Sequence, residues 1–156
     1  MKTLLLILLV TITCHSAIGQ DRIRQAPCFD SVMRQQADSL KLTLAKDGFI
    51  LVKEASMTME SEYEMPVIVP LTQGSWYQFV FIGTMDCKLY EVRMYDYNEK
   101  QVIYQKHYGQ DLASNIINYG YIPKQSEYHI IKPVQVALKK HSKNLCGYIM
   151  MFKKVK

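Results

Sequence analysis

The chain has 156 residues, of which 21% are charged and 49% hydrophobic, and a formal net charge of +5. That length suits a single globular domain. The positive charge is mild and scattered, so the sequence lacks the basic stripe of a nucleic-acid footprint, and no nucleic-acid partner is expected.

The first element is MKTLLLILLVTITCHSAIGQ. Lys2 supplies a positive start, Leu4 to Ile12 an apolar run, and Ala17-Ile18-Gly19 a small-x-small cleavage site. Residues 1–19 therefore read as a signal peptide, and cleavage leaves 156 − 19 = 137 residues beginning at Gln20. Lys2 leaves with it, taking the net charge to +4. Thr11-Ile12-Thr13 ahead of Cys14 lacks the small residues of a lipobox, and no later apolar run is long enough to span a bilayer. The expected location is secreted, periplasmic or cell-surface, where disulfides persist. Cys28, Cys87 and Cys146 survive cleavage, an odd number that implies one bridge and one leftover thiol. No C-x-x-C spacing occurs, so zinc and thioredoxin-type chemistry lack their signature.

Residues 20–48 read as a leader and a helix. In PCFDSVMRQQADSLKLTLAKDG, residues Phe29, Val32, Met33, Ala37, Leu40 and Leu44 recur at three- and four-residue spacing. Pro27 suits the helix start and Gly48 a left-handed C-terminal cap. A hairpin turning at Asp47-Gly48 is the rival reading, weakened because the helical stripe begins well before the alternation of Leu40 to Leu44.

From Phe49 to the end, residues 49–156, the period becomes two. Met65, Val67, Val69 and Leu71 share one parity, with Pro66 and Pro70 on the other, as an edge strand tolerates. Tyr77, Phe79 and Phe81 form one face, and Tyr90, Val92 and Met94 another. Val102 and Tyr104 follow a polar turn at Asp96-Tyr97-Asn98-Glu99. Asn115 to Ile122 and Glu127 to Leu138 follow, the second broken by Pro133, and Leu145 to Lys153 is the last strand. Roughly eight strands at such spacing predict a mainly β fold, an antiparallel jelly-roll-like sandwich with one N-terminal α-helix laid over a face or an open end.

The elements LTQGSWYQFVFIG, LYEVRMYD and NLCGYIMMF resemble small exported β-sandwich proteins of Gram-negative bacteria. They are also similar to the pre-peptidase C-terminal (PPC) domain pattern. Gly74, Tyr77 and Phe79 match its G-x-x-Y-x-F strand, Met94-Tyr95-Asp96 its second element, and Tyr128 and Ile130 its third. The resemblance spans roughly residues 64–153 and implies an exported sandwich; with no peptidase attached and few turn glycines, it implies no accessory role to a protease.

Catalytic patterns are thin. There is no G-x-S-x-G elbow, and His107, His129 and His141 have no motif-like relation to a serine or cysteine. Cys87 beside His107 or His129 would imitate a cysteine nucleophile, but a disulfide is the commoner fate of an exported cysteine. Glu60, Glu62 and Glu64 alternate along one side of an extended segment and read as a solvated edge. Asp96-Tyr97-Asn98-Glu99 offers oxygens to a hard cation, yet such residues make turns unaided. No cofactor, metal or catalytic residue is assigned. The tail Lys153-Lys154-Val155-Lys156 reads as a solvated end, with a lipid or anionic-glycan contact as the sharper alternative.

In GSWYQFVFIGTMDCKLYEVRMYD, Trp76 lies opposite Tyr77, Phe79 and Phe81 but shares its parity with Val80 and Ile82. That pattern predicts a central strand covered on both sides, so the stretch reads as core rather than site. Trp76, Tyr95 and Tyr97 remain the candidate ligand-contact aromatics. Cys87 and Cys146 each stand at a strand start, making Cys87–Cys146 the expected disulfide, with Cys28–Cys146 and then Cys28–Cys87 as rivals. The functional expectation is an exported, non-enzymatic binding or interaction module for a glycan or protein partner. The alternatives are a small secreted hydrolase or lyase with a spatially assembled site, and a structural envelope component.

Overall fold

A computed structural model describes residues 27–28, 30–109, 113–139 and 142–155. The expected signal peptide, Phe29, His141 and Lys156 lie outside the described residues. A 16-residue helix, α1 (Ser31–Lys46), precedes eight strands. These are β1 (Phe49–Met59), β2 (Val67–Leu71), β3 (Tyr77–Gly83), β4 (Cys87–Tyr95), β5 (Gln101–Tyr108), β6 (Ile116–Tyr121), β7 (Glu127–Ala137) and β8 (Leu145–Lys154).

The helix starts at Ser31 rather than at Pro27, because Asp30 is the cap. Its backbone is extended, and its carboxylate accepts a hydrogen bond from Met33 N at 3.0 Å. The other end stops as expected: Gly48 adopts φ +75°, and its N–H donates to Ala45 O at 3.0 Å. Phe49 to Val52 then enters β1 and pairs with β8, so the hairpin alternative is excluded.

The strands form two four-stranded antiparallel sheets, ordered β1-β8-β3-β6 and β2-β7-β4-β5. This is the strand order of a jelly roll. Between the sheets Tyr77, Phe79, Phe81, Ile117 and Ile149 meet Val69, Tyr90, Val92, Met94 and Ile131. A second apolar cluster lies on the outside of the first sheet, where Met33, Ala37 and Leu44 of α1 cover Val80, Ile82, Met150 and Phe152. Lys41 fastens the helix there by pairing with Glu54 of β1 at 2.6 Å, and the Tyr148 hydroxyl donates to the same carboxylate at 2.7 Å.

The two prolines of the β2 region sit as expected at a sheet edge, but Pro133 does not interrupt β7. Its carbonyl accepts from Met65 N at 3.2 Å, so its missing N–H faces the same side, beyond the start of the β2 ladder at Val67. Glu60, Glu62 and Glu64 do not line one extended edge either. Glu62 turns the chain with φ 75°, and Glu64 pairs with Arg93 at 3.0 Å and Lys132 at 2.9 Å.

The disulfide is Cys28–Cys146, with Cα atoms 5.4 Å apart, and not Cys87–Cys146. The two expected partners open strands of different sheets, and Cys146 points outward beneath the helix, among Tyr148, Met150 and Phe152. Cys87 points into the intersheet core, because β4 shifts register between Cys87 and Leu89. Its thiol lies 3.7 Å from Gln135 Oε1, and its backbone N–H donates to Tyr90 Oη at 3.3 Å.

Candidate functional site

Along β3 and at the residue just before it, the outward positions are Trp76, Gln78, Val80 and Ile82. The helix buries Val80 and Ile82 completely but ends before it reaches the other two, so Trp76 is 46% exposed. Its neighbours come from four elements. Phe49, just past the helix, packs edge-on to the indole with ring centres 5.5 Å apart. Lys154 places its ammonium 4.8 Å from the Phe49 ring centre and 5.7 Å from the indole, and donates to Asp47 O at the helix end. Gly120 of β6 lies close to the indole nitrogen: a Cβ there would stand 3.0 Å from Trp76 Nε1 and 3.2 Å from Gln78 Oε1, so a larger residue would push these side chains aside by a few tenths of an ångström. Gln78 donates to Asn118 Oδ1 at 2.6 Å, a paired amide beside the ring.

The segment that carries Trp76 is held at both ends. Thr72 N–H donates to Tyr77 Oη at 3.0 Å, Gln73 N–H to Ser126 Oγ at 2.9 Å, and Gly74 N–H to Pro123 O at 3.0 Å. Lys154 N–H donates to Trp76 O at 2.8 Å, which extends the β8 ladder to the tryptophan itself. Shallow hollows open on two sides of the ring. One is lined by Lys46, Asp47, Phe49, Gln78, Asn118 and Lys154, the other by Ile50, Gly74, Ser75, Lys153 and Lys154. The expected solvated tail is thus part of this site: Lys153 and Lys154 are half-buried strand residues. An aromatic face flanked by amides, a carboxylate and ammonium groups can stack on an apolar ring surface and bond to hydroxyls around it.

The other two candidate aromatics do not join Trp76. Tyr95 ends β4 in the second sheet, where Lys132 sits 5.1 Å from its ring centre. Tyr97 projects from the β4–β5 turn, 73% exposed. That turn is built by Asp96, whose carboxylate accepts from Asn98 N at 3.0 Å and Lys100 N at 2.9 Å. The outer face of the second sheet carries a charged ladder. Glu91 accepts from Arg93 at 2.6 Å and Tyr104 at 3.2 Å, with Lys106 at 3.5 Å. Burial alone would raise the Glu91 pKa, but these three partners outweigh it and hold the carboxyl below its ordinary value. Tyr63, Tyr104, Tyr108, Tyr128 and Ile68 are exposed around the ladder.

Cys87 and His129 lie in the interior between the sheets, away from Trp76. Burial, and then the charge of Asp86, pushes the Cys87 thiol up to about 11, which leaves it protonated and a poor nucleophile. His129 is fully buried, with Nε2 3.2 Å from Tyr121 Oη and 3.7 Å from Glu127 Oε1. Among the described residues no group of three or more His, Cys, Asp or Glu side chains is placed to hold a metal ion.

Of this site, the sequence pointed to Trp76 as a candidate ligand contact and to Lys153 and Lys154 only through the alternative reading of the basic tail. Gln78 was visible as the lone polar residue of YQFVFIG on the tryptophan's parity. Phe49, Asn118 and Gly120 carried no local signal, since pairing across the sheet brings them there.

No family model matches the chain, and no curated protein matches it. Among solved structures it is similar to AlgX of Pseudomonas aeruginosa, at 8% identity and TM-score 0.48, over 68% of this chain and 27% of that one. It is similar to a CBM4 structure at 11% identity and TM-score 0.39, over 69% of this chain and 79% of that one. It is also similar to TmCBM61, solved in complex with β-1,4-galactotriose, at 13% identity and TM-score 0.37, over 70% and 84%. The chain spans about a quarter of the AlgX chain. Likenesses of this size carry no argument about function.

Proposed function

We propose that the chain is an exported, non-catalytic glycan-binding module whose ligand stacks on Trp76. One observation carries the reading. The only tryptophan of the chain is left uncovered at the helix end, on a loop fixed by backbone hydrogen bonds, with the paired amides of Gln78 and Asn118 beside it. Such prior fixing lowers the cost of ordering a site around a ligand. On this reading residues 1–19 are a signal peptide removed on export, residues 20–48 lead into the sandwich, and residues 49–156 form the module. The Cys28–Cys146 bridge suits the oxidising compartment that export reaches. No helix among the described residues is long and apolar enough to cross a membrane.

Trp76 is the sole indole, so its fluorescence reports on the site directly. Titration with oligosaccharides retained on a glycan array should quench or shift the emission, and Trp76→Ala should abolish retention while the far-UV circular dichroism keeps the native strand signal. Retention of the same glycans by Trp76→Ala would remove this site from the proposal. A second reading is favoured by the exposed tyrosines around the Glu91 ladder, since tyrosine is enriched at protein interfaces. It predicts a protein partner on the outer face of the second sheet, and loss of that partner with Tyr104→Ala/Tyr128→Ala while glycan retention persists.

A further inference from the structure

The geometry points to an anionic glycan, one bearing carboxylate or sulfate groups, as the ligand class of the Trp76 site; this rests on the glycan-binding reading above. The charge lies on both flanks of the indole. Lys46 and Lys154 line one hollow, and Lys153 and Lys154 line the other. Against these three ammonium groups stands one carboxylate, Asp47, for a balance of 3 − 1 = +2.

Two basic clusters elsewhere on the sandwich are paired with carboxylates. On the outer face of the second sheet Arg93, Lys106 and Lys132 are met by Glu64 and Glu91, and on the helix Lys41 is met by Glu54. Among the described residues Lys46, Lys153 and Lys154 are in no ion pair with a carboxylate. Lys154 gives one hydrogen to Asp47 O, and a lysine ammonium has three to give. Its position over the Phe49 and Trp76 rings sets it at the rim of the stacking surface, where an acidic substituent of a stacked sugar would lie. Lys153 reaches the second hollow from the other side of β8, its ammonium 5.8 Å from the ring centre of the inward-facing Tyr77. Asp47 and the Gln78–Asn118 amides remain for hydroxyl groups. Lysine is a compact point charge without the fork geometry that selects planar bidentate anions, so carboxylate and sulfate share this chemistry.

The test uses matched polymers: polygalacturonate against its carboxyl-reduced form, and dextran sulfate against dextran, in affinity electrophoresis and Trp76 fluorescence. The anionic member of at least one pair should be retained about tenfold more tightly at low salt. The gap should close as ionic strength shortens the screening length. The Lys46→Gln/Lys153→Gln variant, which keeps the packing of Lys154, should lose most of the preference at an unchanged melting temperature. The pair that shows the preference identifies carboxylate or sulfate. Equal binding of charged and neutral members would overturn the anionic assignment and leave glycan binding standing. Retention of a polyanion by Trp76→Ala at native strength would overturn it too, as diffuse attraction to a basic surface. If no polymer of either kind binds, glycan binding and the anionic assignment fall together.

Discussion

Removing the Cys28–Cys146 bridge should be the most costly single chemical change to this fold. The bridge spans 118 residues and joins the segment before α1 to the start of β8. It therefore closes nearly the whole sandwich into one loop. In the chain-entropy model a loop of that length restricts the unfolded chain by about 5 kcal/mol. A domain of this size shifts its melting temperature by about 3–4 °C for each kcal/mol, so Cys28→Ala/Cys146→Ala should melt about 15–20 °C lower. Two features separate this cause from simple loss of packing. The urea m-value should rise, because an unbridged unfolded chain exposes more surface. The far-UV circular dichroism at low temperature should keep the native strand signal, since the intersheet core of Phe79, Phe81, Val92 and Ile131 does not touch the bridge. A stability change below about 1 kcal/mol would refute the reasoning. So would peptide mapping under non-reducing conditions that found Cys87 in the linked pair.

Leu40→Asp should place a carboxylate in the contact between helix and sheet and cost about 1–3 kcal/mol in urea unfolding; an unchanged midpoint would mean that α1 is not docked. Glu91→Gln tests the charged ladder through pH. The folded-state pKa of Glu91 is depressed, so its contribution is present above the ordinary carboxylate range and is lost as pH falls through the folded value. The variant should lose less melting temperature than the native chain between about pH 7 and pH 3, and equal losses would sink the assignment. Cys87, buried and pushed up to about 11, should resist iodoacetamide in the native protein near pH 8 and react fully in denaturant; labelling of the folded protein at the rate of a free thiol would contradict its placement.

Period-two alternation carried most of the fold. Tyr77, Phe79 and Phe81 face the intersheet core as their spacing requires, and Asp47-Gly48 ends the helix where a left-handed residue is needed. Pairing order was not legible, because β1 meets β8 and β2 meets β7 across most of the chain, and nothing local records such partners. The choice of Cys28 over Cys87 as the partner of Cys146 was hidden for a specific reason. Tyr90, Val92 and Met94 point inward, so uninterrupted alternation would have turned Cys87 to the Leu89 side, away from the core. The irregularity between Cys87 and Leu89 reverses it. In β8 both parities are apolar, so alternation said nothing about which way Cys146 faces.

Trp76 shows why the same stretch could be core and site together. Its parity with Val80 and Ile82 is real, and all three lie on the side of the first sheet that the helix approaches. What decides exposure is where the helix stops. One further turn of α1 would add about 5.4 Å of cover along its axis. Instead Gly48 reverses the chain with φ +75°, and the next residue, Phe49, sets its ring edge-on to the indole rather than over it. Lys154 then ties the helix end to the two rings, bonding Asp47 O while standing above both. The stop signal of the helix and the open face of the tryptophan are thus one structural decision. Strand periodicity can assign Trp76 to a side, but only the length of a helix from another part of the chain determines whether that side is covered.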